Sequence, residues 1–112
     1  MRWINQRTLL AAVALFAANA AGQAQEATVR LVIQNHRFQP AEVKVAAGTP
    51  ITLIVRNADA TPEEFESKTL RVEKVIPGKS EATIQLRALQ PGRYKFFGEY
   101  NEATAQGVLV VE

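Results

Sequence analysis

The sequence predicts an all-β chain folded as a Greek-key β-sandwich of about eight strands. Short segments in which apolar and polar residues alternate recur along the chain, the period-2 signature of strands with one buried face. Clusters of Pro, Gly and Asn separate them at the spacing of a small all-β domain. The chain also ends in a strand, a polar acidic loop and a second strand, from Leu89 to Glu112.

Residues 1–24 read as a signal peptide and residues 25–112 as the working domain. Arg2 and Arg7 form a positive start, Leu9 to Ala18 an apolar run, and Gly22-Gln23-Ala24 supplies small residues before a cut ahead of Gln25, with a cut after Ala20 as the alternative. The apolar run is about half of the ~20 residues that a bilayer span needs, so no stable membrane insertion is expected. The chain has no Cys to carry a lipoprotein anchor. The expected location is therefore periplasmic. Removing 24 of 112 residues leaves 88, enough for one small domain, and takes Met1, Trp3, Arg2 and Arg7 with it. The remaining 11 Lys and Arg balance 11 Asp and Glu, so the basic character of the whole chain belongs to the leader. The domain then lacks Cys and Met and has one His, His36. It holds no soft sulfur donor of the kind that selects Cu(I) or builds a blue-copper centre; a metal site must use oxygens and at most one imidazole.

The strands follow in order. Val29, Leu31 and Ile33 alternate with Arg30 and Gln34; Phe38-Gln39-Pro40 leads to Val43 and Val45. Ala47-Gly48-Thr49-Pro50 turns the chain into Ile51, Leu53 and Val55, and Asn57 to Pro62 is a polar loop. Thr61-Pro62-Glu63-Glu64 fits a helix start with Thr61 as N-cap, or a loop into a strand over 63–67. The strand is favoured because it lets every connection alternate in direction, which gathers the loops 35–41, 57–62, 76–79 and 98–106 at one pole. Leu70 and Val72 start the next strand, Ile76-Pro77-Gly78-Lys79 turns it, and Ala82, Ile84 and Leu86 alternate after that. Pro91-Gly92 precedes Tyr94 and Phe96, Gly98 breaks that strand, and Gly107 restarts the chain into Val108–Val111.

A two-residue turn at Lys68-Thr69 would set Phe65 opposite Val72, Glu66 opposite Arg71 and Glu64 opposite Glu73. Lys-Thr is a poor residue pair for such a turn. Glu64, Glu66 and Glu73 then crowd one patch, and like charges opposite one another are destabilising. Such a cluster lifts a pKa or binds a hard cation; the competing reading is a solvated face neutralised by Arg71 and Lys74. Glu99, Asn101 and Glu102 form a second candidate set on the closing loop, against a plain solvated hairpin. His36 stands at the expected loop pole but, alone, reads as a surface residue. Phe97 and Tyr100 are either edge packing or contacts for a partner. No nucleophilic triad, phosphate loop or basic aromatic stripe is present, and no nucleic-acid partner is expected.

Several phrases in order resemble the cupredoxin family: Phe38-Gln39-Pro40-Ala41-Glu42-Val43, Ala47-Gly48-Thr49, Val55-Arg56-Asn57, Pro77-Gly78-Lys79-Ser80, Leu89-Gln90-Pro91-Gly92-Arg93-Tyr94 and Gly107 to Glu112. In cupredoxins the last loop carries a Cys, a His and often a Met as copper ligands; here Gly98 stands where the Cys would be and Asn101 near the His. Glu64-Phe65-Glu66-Ser67, Leu70-Arg71-Val72-Glu73-Lys74 and Phe97 to Gly107 resemble, more narrowly, the cupredoxin-like periplasmic component of bacterial ferrous-iron uptake systems, the FtrB type, related to the cupredoxin domain of EfeO. That resemblance implies a protein that works beside a periplasmic iron-binding protein and an iron permease and hands over or oxidises iron before permeation, as an accessory ferroxidase in the second case. It implies Glu64, Glu66, Glu73, Glu99 and Glu102 as the metal ligands, with iron as the expected cofactor, copper as the alternative and no type 1 copper. A metal-free module that docks onto a transport partner is the reading from another class.

Overall fold

The computed structural model describes residues 26–112. The expected leader, 1–24, lies outside the described residues. The described residues form nine strands and one short 3-10 turn: β1 (Ala27–Gln34), β2 (Arg37–Gln39), β3 (Glu42–Val45), β4 (Ile51–Asn57), β5 (Glu63–Ser67), β6 (Val72–Ile76), β7 (Ser80–Leu86), β8 (Gly92–Gly98), η1 (Glu99–Asn101) and β9 (Gln106–Val111). One sheet runs β2-β1-β4-β7 and the other β3-β9-β8-β5-β6. The sequence reading places residues 35–41 in a loop; the structure forms the short strand β2 inside it, then the chain leaves the first sheet after Gln39 and joins the second at Glu42. β1 lies parallel to β4 and β3 parallel to β9, while β4–β7, β5–β6, β5–β8 and β8–β9 are antiparallel. These directions fit a chain that alternates from leg to leg once β2 and β3 are counted as one leg.

Alternation decides which residues meet between the sheets. Val29, Leu31, Ile33, Ile51, Leu53 and Val55 are buried from one sheet, and Phe65, Ile76, Phe96, Leu109 and Val111 from the other. Phe38 on β2 meets Phe65 on β5 edge-on at 5.9 Å and Phe96 on β8 edge-on at 4.9 Å, while Phe65 and Phe96 stack at 5.2 Å. Contacts of this kind add about 0.5–1.5 kcal/mol per pair beyond the area they bury. The trio clamps the two sheets together around Phe65, which separates Glu64 from Glu66 on β5.

The β5–β6 register corrects the sequence expectation. Phe65 pairs with Lys74, Glu66 with Glu73 and Ser67 with Val72, while Glu64 faces Val75. The connection is four residues, Lys68–Arg71, not two. Ser67 Oγ accepts the Leu70 amide at 3.3 Å, Arg71 N–H donates to the Lys68 carbonyl at 3.3 Å, and Arg71 has φ 57°. Leu70 and Arg71 therefore belong to the turn, and the expected Glu66–Arg71 pairing is absent. The slip is two residues, so each side chain keeps its face.

Candidate metal centre

The pole of the sandwich is built first by Asn57, fully buried at the end of β4. Its Nδ2 donates to the carbonyls of Thr61 (2.8 Å) and Ile76 (3.1 Å), and its Oδ1 accepts the Asp59 amide at 3.1 Å. One side chain thus ties the 57–62 loop to the end of β6. Gly78 lies against the Ala60 carbonyl so closely that no Cβ fits there. Asp59 in turn accepts the backbone amides of Asn35 (2.8 Å) and His36 (2.9 Å), the two left-handed residues that turn β1 into β2. Burial pushes the Asp59 carboxyl up, but those two amides and the charges of His36 and Lys79 prevail and hold it below its ordinary value. Thr104 Oγ1 donates to the His36 carbonyl at 2.6 Å and brings in the last loop. The expected gathering of four loops at one pole is present. His36 itself is exposed, its Nε2 3.5 Å from Thr61 Oγ1.

Inside this frame β5 presents acids to both of its faces. Glu63 points inward with Phe65 and is 1 % exposed. Its Oε1 accepts the amides of Tyr100 (2.8 Å) and Glu64 (3.0 Å), and its Oε2 accepts Asn101 Nδ2 at 2.8 Å. A Cβ on residue 98 would stand 2.5 Å from Glu63 Cδ, so the carboxylate fits only above a glycine. Sequence reasoning missed Glu63. The available signal was its alternation with Phe65, which puts it on the buried face.

Glu64 and Glu66 point to the opposite face. The β5–β8 pairing sets Phe65 against Gly98 and Glu66 against Phe97, so one step further along the ladder Glu99 comes beside Glu64. One carboxylate oxygen from each of Glu64, Glu66 and Glu99 lies within 4.8 Å of the others. Glu73 faces Glu66 from β6. Glu66 is only 8 % exposed although it stands on the outer face, with Glu73 and Phe97 as its cross-strand neighbours. Of the five acids expected as ligands, three converge, Glu73 borders them, and Glu102 lies elsewhere, lining a shallow groove with Lys68, Lys95 and Phe97. The sequence places Glu99 in an irregular loop; in the structure it opens the 3-10 turn that ends at Asn101.

The carboxyls share protons. Hydrogen bonding with Glu99, then burial, then the charges of Glu99, Glu73 and Glu66 push Glu64 from its ordinary 4.5 up to about 7. Glu66 is raised by its hydrogen bond with Glu99, by burial and by the charges of Glu99 and Glu73, against the pull of Lys68. Glu99 is lowered because Glu64 and Glu66 both hydrogen-bond to it, burial notwithstanding. The Glu99 carboxylate thus accepts from Glu64, which is protonated at mildly acid pH, and draws Glu66 above its ordinary value. Replacing those protons with a multivalent cation is the reaction such a set is suited to. Three oxygens so placed have a common centre no more than about 2.8 Å from each, close to the 2.0–2.6 Å of Mg²⁺ and Ca²⁺ bonds to oxygen.

The family model described as "Cupredoxin-like domain" matches residues 7–111. The uncharacterized protein RP394 of Rickettsia prowazekii (strain Madrid E) is 43 % identical over 83 residues, 74 % of this chain; the match spans 66 % of that relative. Among solved structures, the metal binding domain of the Cu(I) exporting P-type ATPase CopA of Streptococcus pneumoniae D39 superposes with TM-score 0.68 at 16 % identity, covering 81 % of this chain and 99 % of that one. Auracyanin A, a blue copper protein of Chloroflexus aurantiacus, gives 0.67 at 15 % identity over 79 % and 100 %. Amicyanin of Paracoccus versutus gives 0.60 at 19 % over 83 % and 88 %. At these identities the likeness is one of fold. A blue-copper centre needs a thiolate and two imidazoles. This chain has no Cys and one His, and the Glu63 carboxylate fills the space above Gly98. The residues do not fit that group.

Proposed function

The chain belongs to the cupredoxin-like domain family, and from that premise we propose that it is an exported metal-handling domain that binds a hard cation through Glu64, Glu66 and Glu99. The convergence of three carboxylate oxygens within 4.8 Å on the outer face of β5 and η1 supports this reading. Oxygen donors suit hard ions, and all-carboxylate sites disfavour Cu(I) for want of sulfur. Iron is the proposed cargo, and a ferrous-iron uptake system, with a periplasmic iron-binding protein and an iron permease as partners, is the proposed setting. Both come from the resemblance of the Glu64–Ser67, Leu70–Lys74 and Phe97–Gly107 phrases. Among the described residues no helix is long and apolar enough to cross a membrane.

Titration of the purified protein with Fe(II) under nitrogen, Mn(II), Ca(II) and Cu(II) tests the proposal. One saturable site for Fe(II) or Mn(II) is expected, weakened about tenfold or more in a Glu64→Gln, Glu66→Gln variant. Binding no tighter than in that variant removes the site. A second reading rests on Tyr100, 52 % exposed beside the same turn: a metal-free module that docks onto a transport partner. Pull-down of purified permease by Tyr100→Ala and by the Glu variant separates the two, since a docking module loses its partner only with the tyrosine.

A further inference from the structure

We infer that Glu63, Gly98 and Asn101 form a carboxylate lock that positions Glu99 against Glu64 and Glu66, which makes Glu63 a positioning residue for the proposed cation site and not a ligand of it. The inference rests on the reading of Glu64, Glu66 and Glu99 as that site. Glu63 is as buried as the core, and neither ion pair among the described residues, Lys44–Glu112 or Arg93–Glu42, involves it. Its partners are instead two backbone amides and the Asn101 carboxamide. The contacts with Tyr100 and Asn101 come immediately after Glu99 in sequence. Gly98, immediately before Glu99, is held in the β5–β8 ladder opposite Phe65. Glu99 is therefore pinned from both sides by β5, the strand that carries Glu64 and Glu66. Asn101 closes the far end, its carbonyl accepting the amides of Ala105 (2.8 Å) and Thr104 (3.1 Å).

The three residues are interdependent. Any side chain at 98 would strike the Glu63 carboxylate at 2.5–2.6 Å and Ala105 Cβ at 2.8 Å. A carboxylate at 63 needs a donor at 101, which Asn supplies and Asp does not. Outer partners of this kind orient ligands, and losing one typically costs 10–100-fold in metal affinity.

The experiment exchanges the two polar ends of the lock. Asn101→Asp replaces the carboxamide donor that faces Glu63 Oε2 with a second carboxyl. Glu63→Gln with Asn101→Asp restores a donor facing an acceptor, and the carboxamide oxygen introduced at position 63 still takes the Tyr100 and Glu64 amides. Two quantities are read on the full domain at neutral pH: hydrogen exchange at the Tyr100 amide without metal, and the Kd for Mn(II). Asn101→Asp should lose protection at Tyr100 and weaken Mn(II) about tenfold; the double variant should recover both. In a Glu99→Gln background Asn101→Asp should cost no further affinity, since the lock acts through Glu99. Unchanged Tyr100 exchange in Asn101→Asp overturns the lock. An equal loss of affinity with and without Glu99 overturns its positioning role. If the wild-type domain binds no Mn(II), the proposed function fails; the lock then stands or falls on Tyr100 exchange and its recovery in the double variant.

Discussion

The shared protons of Glu64, Glu66 and Glu99 make pH the sharpest perturbation of the proposed site. A cation binds the ionised carboxylates, so each raised pKa is a proton that must leave first. With Glu64 held near 7, roughly one molecule in a hundred carries it ionised at pH 5 and half do at pH 7, so affinity should rise about fiftyfold between them. Glu66 is raised as well and makes the rise steeper; above pH 8 the curve should flatten. Calorimetry of Mn(II) binding at pH 6 in buffers of different ionisation heat should detect release of roughly 0.9 proton from Glu64 alone. Glu64→Gln should remove about one unit from the slope of log Kd against pH. An affinity that is flat from pH 5 to 7, or a slope that survives Glu64→Gln, would refute the shared-proton account.

Without metal the dependence of stability runs the other way. Because the folded state raises Glu64 from 4.5 to about 7, the stability it contributes is complete below about pH 4.5 and is lost as pH rises through about 7; thermal melts should show that loss in the wild type and a smaller one in Glu64→Gln. Saturating Mn(II) at pH 8 should raise Tm, and chelation should reverse the gain. Gly98→Ala forces Glu63 or Ala105 to move and should cost about 1–3 kcal/mol in a denaturant titration. Phe65→Ala removes the centre of the aromatic trio and should cost about 3–5 kcal/mol, with loss of cation binding because Glu64 and Glu66 flank it.

Which of these features were legible in the sequence follows from how local their causes are. Strand β5 could be read because alternation and chain direction agree, and a helix from Thr61 would have broken both. Its pairing with β6 could not be read to the residue. The turn Lys68–Arg71 depends on Ser67 Oγ as acceptor and on a left-handed arginine, and neither choice is dictated by residue type. The error was an even number of residues, so it exchanged Glu64 for Glu66 as the partner of Glu73 and left all three on one face. Glu63 is legible only in part: alternation with Phe65 turns it inward, but nothing local names its partners. A glutamate after a proline reads as surface, and what buries this one are donors at residues 100 and 101, over thirty-five positions away. Glu102 was grouped with Glu99 by proximity in sequence, but the 3-10 turn between them sends it toward Lys68 and Lys95.

Strand β5 therefore carries two sets of acid chemistry separated by the pleat. Glu63, turned inward, finds amide donors for both of its oxygens and is inert toward ions in that arrangement. Glu64 and Glu66, turned outward, find mainly other carboxylates, and their shortage of donors is what raises their pKa values. The contrast comes from the partners each residue meets, since the three side chains are chemically identical and lie within four residues. It places the converging oxygens on the outer sheet face, with Glu99 exposed, Glu64 half-buried and Glu66 nearly covered, so an ion would reach them from the Glu99 side without the pole opening. A cargo site needs that access more than a resident redox centre does. In the proposed site, the Phe65 ring packed between the outer pair on the buried face would keep their spacing fixed as their protons exchange for a cation.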